Sequence, residues 1–206
     1  MFAACGLPAV RLLADALRGA LGANPVAEAM NRLGFWTLVF LLLSLTPTPL
    51  KIVAGLAWPL RLRRMLGLYA FFYASLHFVA YFAIDQFFDL RAIFADVLKR
   101  KFITVGFVAF LALVPLALTS TDRSVRRLGF LRWKRLHRLS YAAAVGGVIH
   151  FAWRVKADLR QPMIFAGILS LLLAARLVGA LTARAKDGVP VRRLPGRRRP
   201  DPQSAA

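Results

Sequence analysis

Residues 136–156 read LHRLSYAAAVGGVIHFAWRVK, and this stretch decides how the rest of the chain is interpreted. Its interior is almost entirely apolar and contains no proline, which is the composition of a helix that crosses a lipid bilayer. The stretch also carries two of the three histidines of the chain, His137 and His150. At about 1.5 Å of rise per residue, the two imidazoles of one helix would lie roughly 20 Å apart. An imidazole inside a membrane span predicts a functional site, because polar side chains are costly in lipid.

The composition indicates a polytopic membrane protein. The chain has 206 residues, of which 59% are hydrophobic, and a net charge of +20. The basic residues fall in short clusters between apolar runs, which is typical of membrane topology signals and argues against nucleic acid as a partner. The single cysteine, Cys5, excludes an intrachain disulfide and cysteine-bound clusters. No Gly-x-Gly-x-x-Gly or Walker loop is present, so electrons would come from a partner or a lipid-soluble carrier.

The apolar runs predict an all-α, polytopic transmembrane helix bundle with five clear spans and a short N-terminal helix. The spans are placed at about 33–52, 65–84, 102–119, 136–153 and 162–182. The run at 7–21 is short and interrupted by charges, so it predicts a truncated first span or an interfacial helix. The predicted regions are an N-terminal helix and loop at 1–30, a membrane domain at 31–182, and a basic, proline-rich disordered tail at 183–206.

The basic residues are distributed unequally between the two sides of these spans. One side receives the loop at 51–64, the basic run at 123–138 and the tail, with eighteen Lys and Arg in all, whereas the other side receives seven. Cytoplasmic loops of membrane proteins are enriched in Lys and Arg. The pattern therefore predicts a cytoplasmic C-terminus, with the spans at 65–84 and 136–153 both running outwards.

Two histidines on these parallel spans are predicted to lie at one depth. His77 follows Arg64 by thirteen residues, so it lies roughly 20 Å from the cytoplasmic end, and His150 lies at a similar depth. Two such imidazoles can hold one iron, and haem fits an apolar slot in which Gly146 and Gly147 let a flat ligand approach the backbone. The alternatives are that each histidine hydrogen-bonds a neighbouring helix, or that the pair binds zinc or copper.

The third histidine, His137, is predicted to lie at the cytoplasmic boundary. It is either an ordinary interfacial imidazole or a ligand of a second, cytoplasmic-side haem, whose propionates Arg135 and Arg138 would bind. Because the chain has only three histidines, this second site would need a non-histidine partner, a water or an open coordination position.

Three segments together resemble a known family. They are RRMLGLYAFFYASLHFVAY at 63–81, FITVGFVAFLALVPLALTST at 102–121 and RRLGFLRWKRLHRLSYAAAVGGVIHFAWRVK at 126–156. They resemble the haem-binding membrane subunits of bacterial periplasmic methionine-sulfoxide reductase systems, the MsrQ family, formerly YedZ. That family belongs to the ferric-reductase-like transmembrane superfamily, and the resemblance runs from about residue 22 to 173.

The resemblance implies a membrane cytochrome of the bacterial inner membrane. It would carry one or two b-type haems, with FMN as a further cofactor, and act as an electron-transfer subunit rather than as the catalytic subunit. Its electrons would come from the quinone pool or a cytoplasmic flavin reductase and pass to a periplasmic molybdopterin methionine-sulfoxide reductase. Superfamily members with four ligands carry a histidine where this chain has Arg63, which is therefore a cofactor-binding candidate but a poor iron ligand.

Two other functions stay open at the level of the sequence. A ferric or quinone reductase would pass electrons directly to a small acceptor, and a non-redox scaffold or transporter would carry its histidines incidentally. A haem spectrum separates the redox functions from the last one.

Overall fold

A computed structural model describes residues 2–155 and 158–187, which are helical almost throughout and contain no strand. The helices are α1 Phe2–Leu17, α2 Pro25–Leu45, α3 Pro47–Ala54, α4 Arg63–Val79, α5 Leu90–Lys99, α6 Lys101–Leu118, α7 Asp122–Leu128, α8 Phe130–Leu136, α9 Leu139–Arg154 and α10 Arg160–Asp187. A 3-10 segment, Trp58–Leu62, precedes α4, and a π-helical segment, Ala80–Asp85, follows it. The predicted all-α class is confirmed for these residues. Most of the predicted tail, 188–206, lies outside them.

Within residues 2–155 and 158–187, four helical stretches are long and apolar enough to cross a membrane. They are Pro25–Ala54, Trp58–Asp85, Lys101–Leu118 and Arg160–Ala183. The polytopic architecture agrees with the prediction. The count of five spans is not confirmed, because α9, which corresponds to the span predicted at 136–153, has only 16 residues and is too short for the length criterion. The first stretch starts earlier than the predicted 33–52. Its helix α2 begins at Pro25, after Asn24, whose side chain caps the helix by accepting the Ala27 N–H.

The core consists of two antiparallel helix pairs, α2 with α4 and α6 with α9. Small buried residues allow the helices to approach closely, among them Ala74 of α4 and Ala143 and Ala144 of α9. The last helix, α10, is tied to this core by Arg176, which donates to the carbonyl oxygen of Leu45 and to the Tyr141 hydroxyl.

The N-terminal helix α1 packs against the bundle. The fully buried Tyr73 of α4 donates its hydroxyl hydrogen to the Cys5 carbonyl (2.8 Å) and accepts the Ala9 N–H (3.2 Å). Pro8 lies between these two residues inside α1 and lacks an N–H of its own. The two hydrogen bonds of the buried Tyr73 hydroxyl thus join α4 to α1 on either side of Pro8. This docking was not predicted from the short apolar run at 7–21.

The helix predicted at 136–153 is broken near its start. In the structure, α8 ends at Leu136, His137 caps its C-terminus, and α9 begins at Leu139. His137 and His150 therefore do not share one continuous helix, and that prediction was wrong. The apolar pattern runs unbroken across this point, so nothing in the periodicity marked the break.

The segment between the second and third membrane stretches carries an amphipathic helix. Asp89 caps the start of α5 by accepting the N–H groups of Arg91 and Ala92. An apolar stripe of Leu90, Phe94 and Leu98 remains exposed along one side. This helix lies at the same end of the bundle as His77, because it directly follows the π-helical end of that stretch.

Candidate functional site

The structure brings His77 and His150 together near the end of the parallel helices α4 and α9. Their ring centroids are 6.1 Å apart and their planes are nearly perpendicular, at 82°. The matched depth expected from the sequence is therefore present in the fold.

Each of these imidazoles is oriented by a backbone carbonyl of the helix packed against it. His77 Nδ1 lies 2.9 Å from the carbonyl oxygen of Met30 on α2, and His150 Nδ1 lies 2.6 Å from that of Phe102 on α6. A carbonyl oxygen only accepts, so Nδ1 carries the hydrogen in both neutral rings. The lone pair of each ring is then on Nε2, which is the nitrogen left to bind a metal.

Two glycines make room for these rings. A Cβ built on Gly106 would lie 2.5 Å from His150 Nδ1 and 2.8 Å from its Cε1, which is far inside van der Waals contact. A Cβ built on Gly34 would lie 3.4 Å from His77 Cε1. Both glycines were missed by the analysis of the sequence, because a glycine in an apolar helix has no signal that distinguishes a ligand-supporting position from ordinary helix packing.

Gly146 and Gly147 serve helix packing instead of a ligand slot. A Cβ on Gly146 would lie 3.1 Å from the Ala109 side chain of α6, and one on Gly147 would lie 2.9 Å from the Leu38 side chain of α2. The predicted slot at these glycines is therefore filled by neighbouring helices. The close approach involving His150 occurs on α6, one helix away from the predicted place.

The geometry of the histidine pair fits a metal held between two imidazoles. A metal bound to both Nε2 atoms at about 2.0 Å would be compatible with ring centres about 6 Å apart, close to the observed 6.1 Å. Among residues 2–155 and 158–187, no three His, Cys, Asp or Glu side chains cluster in a way that could hold a metal ion. The described candidate ligand set is thus two imidazoles among largely apolar side chains, with the guanidinium of Arg154 close enough to act on both. Two imidazoles are one of the sets that hold haem iron.

The opposite end of the bundle contains a cavity of about 190 Å³ that is lined mostly by apolar side chains, with several polar ones among them. Its walls include Arg63 and Arg64 of α4, His137, Trp133 of α8 and Ser140 of α9. Arg64 is already paired with Asp122, at 2.7 Å. No Asp or Glu is among the described residues that line the cavity, so its wall is positively charged.

Of the predicted inner-site residues, Arg63 lines this cavity but Arg135 and Arg138 do not. Arg135 and Arg138 are exposed. Their proposed contact with haem propionates stays a prediction. Arg63, named for its place in the family pattern, is half-buried and shares a wall with His137.

His137 is held in the opposite way to the other two histidines. Its Nε2 lies 3.2 Å from the Thr119 hydroxyl oxygen, and that hydroxyl donates its only hydrogen to the Pro115 carbonyl at 2.6 Å. His137 Nε2 must therefore be the donor, which leaves Nδ1 with the lone pair. The ring also packs on Trp133, with centroids 4.1 Å apart.

The charge state of His137 follows from its surroundings. Burial lowers its pKa below the ordinary value, and the nearby positive charge of Arg63 lowers this pKa further. The imidazole is therefore neutral at neutral pH, in a cavity whose positive charge comes from the arginines.

Comparisons with known proteins agree with this architecture. Residues 31–148 match the model of the ferric reductase like transmembrane component family. A protein of Rhodospirillum rubrum is 55% identical over 92% of this chain and 91% of its own length, and it is named a protein-methionine-sulfoxide reductase heme-binding subunit, MsrQ. The chain belongs to the MsrQ family.

Other MsrQ proteins show similar agreement. The protein of Herminiimonas arsenicoxydans is 48% identical over 91% of this chain and 87% of its own length, and that of Xanthomonas euvesicatoria is 52% identical over 80% and 75%. Both carry the same name as the Rhodospirillum protein. No solved structure matches the chain.

Proposed function

We propose that this MsrQ chain is a membrane electron-transfer subunit whose haem is held between His77 and His150. The observation that carries the proposal is the pair of imidazoles with centroids 6.1 Å apart, each with Nδ1 bound to a carbonyl and Nε2 free. The haem would be b-type, because the single cysteine, Cys5, cannot form the paired thioether attachment of a c-type haem. When bound, the haem supplies a one-electron carrier inside the lipid layer.

The chain's own residues would orient this carrier and exclude water from it. The carbonyl oxygens of Met30 and Phe102 fix both rings, so little reorganisation accompanies a change of charge at the metal. The aromatic ring of Phe102 lies beside this pair, with its centroid 6.0 Å from that of His150.

We infer that electrons enter at the cavity beside His137. Arg63 and Arg64 offer donors to a carboxylate or a phosphate, which suits haem propionates, FMN or a partner's bound flavin. A second haem there would use His137 through Nδ1 or after release of the Thr119 contact. The donor would be quinol or a cytoplasmic flavin reductase.

We propose an inner-membrane topology with a cytoplasmic C-terminus, in which α9 crosses the membrane in addition to the four long stretches. The excess of Lys and Arg on the His137 side supports this orientation, which places the His77–His150 pair in the outer half of the bilayer. A periplasm-dependent reporter fused after Ala206 should be inactive. An active reporter would invert the direction of electron flow.

The acceptor would be the catalytic subunit of a protein-methionine-sulfoxide reductase, as the name of the relatives suggests. The family resemblance implies that this subunit is a periplasmic molybdopterin enzyme. The chain itself carries no dinucleotide fingerprint and should not oxidise NADPH alone. The competing function is direct reduction of a small acceptor such as ferric iron or a quinone.

One reconstitution tests these proposals. The purified chain in lipid nanodiscs is reduced with dithionite, and its haem per chain is measured from the difference spectrum. The oxidised protein is then mixed with NADPH alone, with NADPH and a flavin reductase, or with a quinol. The reduced protein is finally mixed with the catalytic subunit and methionine sulfoxide, or with ferric citrate.

Our proposal expects haem reduction by the flavin reductase or the quinol, and reoxidation that requires the catalytic subunit and its substrate. A colourless protein would favour a scaffold or transporter. Reoxidation by ferric citrate but not by the catalytic subunit would favour the small-acceptor reductase.

A further inference from the structure

We propose that Gly106 and Gly34 are positioning residues, each of which leaves a gap through which a histidine reaches a helix carbonyl. The proposal rests on the function proposed above, because it assigns these glycines a role in setting the haem ligands. It concerns α2 and α6, which carry no histidine themselves.

The same arrangement occurs twice. His77 donates to the carbonyl of Met30, and Gly34 stands four residues later on α2. His150 donates to the carbonyl of Phe102, and Gly106 stands four residues later on α6. The sequence alone does not reveal this repeat, because the segments around the two glycines are not alike.

The spacing of four residues has a physical reason. In an α-helix each side chain leans towards the N-terminus and covers the turn before it. The side chain at position i+4 therefore lies over the carbonyl of residue i, whose oxygen already accepts the i+4 N–H. Glycine leaves that carbonyl the most open from the side, where the imidazole N–H of another helix can share it.

The two gaps differ in tightness. At Gly106 all three nearest atoms to a built Cβ belong to the His150 ring, at 2.5, 2.8 and 3.1 Å. At Gly34 the nearest atoms are His77 Cε1 and Nδ1, at 3.4 and 3.5 Å, which is ordinary contact. Alanine at 106 must displace the ring, whereas alanine at 34 is accommodated by a small shift.

Displacing the ring changes the ligand as well as the packing. A carbonyl bound to Nδ1–H fixes the imidazole and raises the basicity of Nε2, which favours the oxidised metal. Loss of such a partner typically weakens metal binding about 10- to 100-fold. Gly106→Ala should therefore release haem faster, raise its midpoint potential and alter the low-spin signal, and Gly34→Ala should do the same to a smaller degree.

The test compares Gly106→Ala and Gly34→Ala with two control variants, Gly167→Ala and Gly6→Ala. Both control glycines lie inside helices and have nothing within 4 Å of a built Cβ. The full chain is purified with its haem. The measurements are haem per chain, the rate of haem transfer to an excess of apomyoglobin, the potentiometric midpoint and the low-spin electron paramagnetic resonance spectrum.

The proposal expects haem transfer from Gly106→Ala to be at least about 10-fold faster than from the wild type. It also expects a higher midpoint, a smaller effect at Gly34→Ala and no change in the controls. Unchanged midpoint, spectrum and transfer rate in Gly106→Ala would overturn the proposal while leaving the haem site itself intact. The site fails separately if His77→Ala and His150→Ala both keep wild-type haem.

A second variant covers the case in which Gly106→Ala does not accumulate. The double variant Gly106→Ala/His150→Gly removes the ring that the new Cβ would strike, so it should accumulate as well as His150→Gly alone. If the double variant is also lost, Gly106 is needed for packing that does not involve His150, and the proposal is wrong.

Discussion

The two ends of the bundle use histidine in opposite ways. At one end His77 and His150 give their Nδ1 hydrogens to carbonyls of α2 and α6 and keep Nε2 free. At the other end His137 donates its Nε2 hydrogen to the Thr119 hydroxyl and has its lone pair on Nδ1. The first end pairs two imidazoles among apolar side chains with one arginine, Arg154, nearby, whereas the second has two arginines in the wall of a cavity. The same side chain thus belongs either to a candidate ligand pair or to the wall of a cavity, depending on which ring nitrogen the neighbouring helix engages.

Removing either member of the outer pair should have the largest effect. In His77→Ala or His150→Ala one side of the metal loses its ligand, so most of the low-spin haem signal should disappear. Haem quantification and the reduced-minus-oxidised spectrum measure this. His137→Ala is the matched control for the low-spin signal, which it should leave intact because it removes an imidazole from the other end. Wild-type spectra in both outer variants would abolish the distinction between the two ends.

Removing Arg63, the cavity arginine without an ion-pair partner among the described residues, should have the next largest effect. Arg63→Ala loses a charge-assisted hydrogen bond to an incoming anionic group, which is worth about 1.5–3 kcal/mol, so reduction of the haem by its donor should slow about 10-fold or more. Stopped-flow reduction measures the rate, and dithionite-reduced spectra should stay normal. Arg63→Lys keeps the charge and should recover part of the rate. If Arg63→Ala is reduced at the wild-type rate, electrons do not enter the protein at this cavity.

His137→Ala sharpens the comparison further. If the inner cavity holds a redox group, this variant should lower haem content or remove a high-spin component that binds carbon monoxide, while the low-spin outer signal survives. Carbon monoxide difference spectra and haem per chain measure both. Identical spectra, stoichiometry and electron transfer would reduce the protein to a single-haem site.

Thr119→Val should have the smallest effect. It removes the acceptor of the His137 Nε2 hydrogen without changing the shape of the side chain, so we expect a loss of about 1 kcal/mol in unfolding free energy. Thermal unfolding in detergent measures the loss, and Thr119→Ser is the control that keeps the hydroxyl. The outer haem spectrum should not change. A change there would show that the two ends are coupled through α6.

The features predicted correctly from the sequence depend on length and composition. Apolar runs separated by basic clusters identified the helices, and the rise per residue brought His77 and His150 to one level. Both follow from simple helix geometry, and the MsrQ resemblance is confirmed by the family comparisons.

The features that were missed depend on contacts between helices. Gly34 and Gly106 look like any glycine in an apolar helix until a ring from another helix is placed against them. The break at His137 was missed because apolar spacing continues across it, and the capping contacts arise only after folding. The cavity lined by Arg63 could not be predicted, because the sequence does not show which turn of α4 faces α8.

The contact of Tyr73 with α1 has a consequence for how the chain is made. Ala9 and Tyr73 are 64 residues apart, so a ribosome adding about 5–20 residues per second finishes α4 roughly 3–13 seconds after α1. During that interval, α1 carries a proline and lacks the hydroxyl that later bonds to its Cys5 and Ala9 backbone groups. The packing of α1 is therefore completed only by a helix that is made later, α4.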